Sequence, residues 1–123
     1  LMQDGRVLVT GGLVEGNGYG VNTAEIYNPK TGVFSRTGNL NQARYNHGAI
    51  LLSNGNVLIV NGRYGHSENE KLITEMEIYD PVSGKFKSIG KNKVKRSFAP
   101  LLFNLGNDKV LISGEGKVEI FKY

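Results

Sequence analysis

Apolar residues along this chain fall in short runs rather than in helical stripes. "RVLVTGG" (6–12), "NVLIVNG" (56–62) and "KVLISGE" (109–115) are β-branched stretches of strand length. Each ends at a glycine that can take positive φ and lead the chain out of a sheet. "EIYNPKTGVF" (25–34) and "EIYDPVSGKF" (77–86) alternate apolar and polar residues on both sides of a turn. Pro29 and Pro81 suit the first corner of a type I turn, and Gly32 and Gly84 the left-handed residue that closes it, so both stretches are predicted hairpins. "HGAILLSNG" (47–55) is one more strand, turning directly into "NVLIVNG", and "APLLFNLGN" (99–107) is its later counterpart.

These phrases are copies of one unit. "DGRVLVTGG", "NGNVLIVNG" and "NDKVLISGE" align with one another, as do "AEIYNPKTGVF", "MEIYDPVSGKF" and the opening "VEIF" at 118–121. The complete unit, residues 39–90, holds four consecutive antiparallel strands: a (47–52), b (56–61), c (75–80) and d (85–88). Residues 1–38 then supply b, c and d, and residues 91–123 supply a, b and c. A period of about 50 residues with four strands per unit predicts an all-β chain of propeller blades, about two and a half of them. Pro100 places strand a at a sheet edge, because proline cannot donate to a ladder, and Gly48, Ala49 and Ala99 suit a crowded inner rim.

Composition agrees: 17 glycines, no tryptophan and many Val, Ile, Tyr and Phe among 123 residues favour strands and tight turns. No apolar run reaches the roughly 18 residues that a membrane-crossing helix needs. Cysteine is absent, which removes disulfide and thiolate chemistry. The net charge of +4 gathers in "KNKVKR" (91–96), a modest excess that predicts no specific nucleic-acid recognition. His47 and His66 are the only histidines, and no acidic residues cluster with them, so no metal site and no cofactor is expected. "GGLVEGNGYG" (11–20) lacks a following helix to aim N–H groups at an anion and reads as a loop.

The unit resembles kelch repeats of the kind found in bacterial and galactose-oxidase-like propellers. The carrying residues are Ala43-Arg44 with His47-Gly48 before strand a, Gly11-Gly12 after strand b, and Tyr27 and Tyr79 in strand c. Gly11, Gly12, Tyr27, Pro29, Gly32, His47, Gly62, Tyr79, Pro81 and Gly84 form the structural signature. Asn61-Gly62 and Ser113-Gly114 depart from the double glycine, and Phe34 and Phe86 stand where the family often has tryptophan. Rings of this type need about four to eight blades, so the chain is expected to be the C-terminal part of a longer propeller. Both ends repeat strands b and c, which disfavours a ring closed by two copies.

Rigid blades leave function to the loops at their ends. The resemblance puts Arg44, Tyr45, Arg63, Tyr64, His66, Lys95 and Arg96 on or near a partner-gripping face, and implies a secreted or cell-surface setting. The expected activity is non-catalytic binding of a protein, or of a glycan, with the rest of the propeller as the other partner. The alternative is the propeller portion of a galactose-oxidase-like copper oxidase or of a sugar-active enzyme. That oxidase type needs a Cys–Tyr crosslink and an adjacent Tyr-His pair, whereas Tyr45 and His47, like Tyr64 and His66, are separated by one residue.

Overall fold

Val57–Val60 is a strand in which all four successive side chains are buried, a pattern that requires packing on both faces. The computed structural model, which describes residues 1–123, supplies both neighbours. Blade 1 is β1 (Val7–Thr10), β2 (Ala24–Asn28) and β3 (Val33–Arg36), in that spatial order. Blade 2 holds β4 (Gly48–Leu51), β5 (Val57–Val60), β8 (Glu75–Asp80) and β9 (Lys85–Lys91). Between β5 and β8 a two-stranded ribbon stands apart, β6 (Arg63–Tyr64) paired with β7 (Lys71–Leu72). Blade 3 is β10 (Leu101–Gly106), β11 (Lys109–Gly114) and β12 (Lys117–Lys122). All pairings are antiparallel, there is no α-helix, and the blades do not close into a ring.

Alternation along β5 divides the core in two. Val57 and Ile59 pack towards blade 1 with Met2, Ala24, Ile26, Leu40 and Tyr79. Leu58 and Val60 pack towards blade 3 with Leu52, Met76, Val110 and Ile112. The flanking b strands have one neighbour each, and each outer blade leaves a face bare. Val9 on β1 is 45% exposed, and Val118 and Ile120 on β12 are 61% and 62% exposed.

The turns follow their residues. Gly32 and Gly84 take φ of +69° and +67° and donate to the carbonyls of Asn28 and Asp80, each at 2.8 Å. Asn28 and Asp80 also accept amide bonds through their side chains, from Lys30 and Val82. Each hairpin then brings an aromatic pair together across the strands, Tyr27 with Phe34 at 4.7 Å and Tyr79 with Phe86 at 4.8 Å between ring centroids. Pro100 directly precedes β10, the edge strand of its blade.

Candidate functional site: the loop face of the blades

Arg44 and Arg96 do not reach the surface. Both are fully buried, as is Glu77. Arg44 Nη2 donates to Glu77 Oε1 at 2.7 Å, and its Nη1 donates to the carbonyls of Asn61 and Glu75. Arg96 Nη1 donates to Glu119 Oε2 at 2.8 Å, and its Nη2 to the carbonyls of Ile112 and Lys117. The d-to-a loops are therefore mortar between blades: Leu40 and Arg44 donate backbone bonds to Asn22 and Val21 of blade 1, and Asn92 to Thr74 of blade 2. The partner-facing position expected for Arg44 and Arg96 is corrected on this ground, since each guanidinium is enclosed by acceptors of its own blade.

Burial pulls Arg44 below the ordinary arginine range, and the charge and hydrogen bond of Glu77 oppose that shift. Burial raises Glu119, but the bonds from Arg96, the Lys93 amide and Asn92 outweigh it and hold the carboxyl below its usual value. His47 shares a 2.8 Å hydrogen bond between its Nε2 and the hydroxyl of Thr10, tying blade 2 to blade 1. Desolvation, reinforced by the nearby charge of Arg44, lowers His47 to about 4. Its imidazole is neutral at neutral pH.

Exposed chemistry gathers instead where two b-to-c loops meet. Residues 13–20 form a small loop pinned by a bridge between Leu13 and Gly20. The β6–β7 ribbon, with one 3-10 turn at Ser67–Asn69, is the corresponding loop of blade 2. Tyr19 lies 5.2 Å from Tyr64 and 6.1 Å from His66, centroid to centroid. Gly18, at φ +70°, makes the approach possible, because a Cβ there would overlap the His66 ring. Tyr64 and His66 are exposed and Tyr19 half-buried, so the three rings form one open aromatic cluster.

Beneath them lies a polar support. Tyr45 is buried, donates its hydroxyl to the Gly65 carbonyl at 2.7 Å and accepts from Arg63 Nε at 3.0 Å. Arg63 stacks its guanidinium 5.4 Å from the Tyr45 ring and pairs with Glu70 at 2.7 Å. The structure thus brings Tyr45, Arg63, Tyr64 and His66 together and leaves Lys95 exposed in a different loop. Tyr19 is the member that sequence reasoning missed. Its glycine-rich setting reads as plain loop, and the two copies differ too much here for alignment to reveal the contact.

No protein-family profile matches the chain, and no curated protein matches it. Solved structures do resemble it. A fungal alcohol oxidase of the AA5 family, in complex with copper, superposes with a TM-score of 0.78 at 19% identity, over 89% of this chain and 24% of the oxidase chain. YjhT superposes with a TM-score of 0.74 at 17% identity, over 91% of this chain and 41% of its own. The chain thus spans about a quarter of one relative and two fifths of the other. At these identities the likeness shows the fold, an assembly of propeller blades.

One expectation is overturned. The missing oxidase residues argue against enzymatic activity, yet blades of this shape form part of an alcohol oxidase, so the scaffold gives no ground for excluding catalysis. Copper itself does not fit the residues present. No three His, Cys, Asp or Glu side chains come together, and His47 is enclosed against Thr10.

Proposed function

We propose that the chain is a portion of a kelch-type propeller whose b-to-c loop face binds a protein ligand through Tyr19, Tyr64 and His66. The contact between Tyr19 and Tyr64, contributed by two different blades, carries this reading. Tyrosine and arginine dominate interface hot spots because they offer large, stiff contact area with a polar end, and rigid blades reduce the ordering cost on binding. The Tyr45–Arg63–Glu70 support holds the aromatic cluster in place. A glycan could stack on the same rings.

A second reading comes from the oxidase likeness. Here the chain is the propeller portion of an enzyme, with its reacting groups on other parts of the protein. The loop face would then border the substrate.

The test compares the native chain with Tyr19→Ala/Tyr64→Ala on a glycan array and in affinity capture against immobilised candidate proteins. Loss of a bound protein in the variant, with an unchanged melting curve, supports the first reading. Ligands retained equally by both chains place the contact elsewhere.

A further inference from the structure

The glutamate of strand c occurs three times, and only two copies are satisfied. Glu77 accepts from the Asn41 amide at 2.7 Å, the Gln42 amide at 3.1 Å, the Asn41 side chain at 2.9 Å and Arg44 Nη2 at 2.7 Å. Glu119 repeats the pattern, with the Lys93 amide at 2.6 Å, the Val94 amide at 3.1 Å, the Asn92 side chain at 3.3 Å and Arg96 Nη1 at 2.8 Å. In both, the amides come from the residues three and two positions before the arginine.

Glu25 is the third copy. It stands opposite Val9 as Glu77 stands opposite Ile59 and Glu119 opposite Ile112. Yet Glu25 is exposed and its side chain forms neither a hydrogen bond nor an ion pair. The surface around it is equally unmet. The outer edge of β1 pairs with no strand, where β5 pairs with β4 and β11 with β10. Val9 and Phe34 are exposed nearby, at 45% and 56%. Tyr27 occupies the position at which Tyr79 shares a 2.8 Å hydrogen bond with Thr37, from the segment leading into its own loop.

We propose that Glu25 and the free edge of β1 form a docking site for an extended peptide segment led by an arginine. The partner chemistry is read from the two filled copies. Two successive backbone amides and an arginine two residues further on would enclose the carboxylate, and the carbonyls of Gly11 and Thr23 occupy the places of Asn61 and Glu75 as further acceptors for the guanidinium. Four or five residues after the arginine, an apolar strand would add antiparallel to Val7–Thr10, as β4 and β10 do after Arg44 and Arg96. Main-chain pairing would provide affinity, as in β-strand addition, and the arginine would fix the register.

The probe is a synthetic peptide with the sequence of residues 39–52, which carries both the arginine loop and the strand. It would be titrated into the isotope-labelled 123-residue chain and followed by amide shifts. The expected result is saturable shifts confined to Val7–Thr10, Gly11 and Glu25, weakened at least about tenfold by Glu25→Gln in the chain or by Arg→Gln in the peptide. Glu25 supports no other group, so the Glu25→Gln chain should melt like the native one and its binding result remains readable. Absence of shifts, shifts centred on β12, or binding indifferent to both substitutions would overturn the proposal.

Discussion

Arg44 and Glu77 sit 2.7 Å apart at the junction of blades 1 and 2, both wholly screened from water. The loop amides of Asn41 and Gln42 complete the carboxylate's shell, so one ion pair fixes the whole path of the chain from blade to blade. Removing one partner would strand the other charge in a low-dielectric site. Arg44→Ala or Glu77→Ala is expected to cost about 3–5 kcal/mol, measured by urea unfolding. Arg44→Met combined with Glu77→Leu should cost less than the sum of the single changes, because no charge is left behind. Equal single and double losses would mean that the loop is held by packing instead.

The Arg96–Glu119 pair offers a graded comparison. Glu119 keeps some contact with water, its side chain being 14% exposed where that of Glu77 is 0%. Stranding either group of this pair should therefore cost less than the equivalent change at Arg44 or Glu77.

The legible part of this molecule is whatever repeats locally. The run Val57–Val60, the Pro-to-Gly turns and the alternation of strand c each declare themselves within a few residues, and all appear as expected. Arg44 misleads because its partner lies 33 residues away, and nothing in a basic residue's neighbours shows that it is buried. Its role emerges only when the copies are overlaid and Arg44 with Glu77 is seen to recur as Arg96 with Glu119. The aromatic cluster is hidden for another reason: Tyr19 meets Tyr64 through loops that share no common pattern, and the β6–β7 ribbon exists in one blade only.

Acid should weaken the blade 1–blade 2 junction through His47. Its folded value of about 4 lies below the ordinary 6.5, so unfolding takes up a proton between those limits. The stabilisation is complete above about pH 6.5 and is lost as pH falls towards 4, with a total of about 3 kcal/mol. Glu119 acts in the same direction, but only below its ordinary value of 4.5, so the upper part of the window reports His47. Urea midpoints measured across this range should fall for the native chain and flatten for His47→Gln. A native profile without slope above pH 4.5 would show that the imidazole is hydrated.

Gly18 controls the aromatic cluster without taking part in it. Its φ of +70° disfavours any side chain, and a Cβ would run into the His66 ring. Gly18→Ala should cost about 1 kcal/mol through the backbone alone. It should also separate the two loops, loosening the Tyr19–Tyr64 contact, which near-ultraviolet circular dichroism would detect. Gly16, also at positive φ but with open space around it, serves as the control. Gly16→Ala should carry the backbone cost and leave the aromatic signal intact.

The far side of blade 3 presents the opposite problem to Glu25, an excess of apolar surface rather than an unmet charge. Val118 and Ile120 occupy the positions at which Met76 and Ile78 of blade 2 meet blade 3, and here they face solvent. Beside them β12 has no outer strand, and a recess of about 370 Å³ lined by Met76, Ile112, Val118 and Ile120 opens between blades 2 and 3. An unpaired edge next to exposed β-branched residues is prone to association. Ile120→Lys should reduce self-association in light scattering while leaving the urea midpoint within about 0.5 kcal/mol of the native chain, as expected for an exposed position. Leu58, by contrast, is wholly enclosed, and Leu58→Ala should cost about 2–5 kcal/mol. A loss of that size from Ile120→Lys would instead mean that Ile120 is covered in solution.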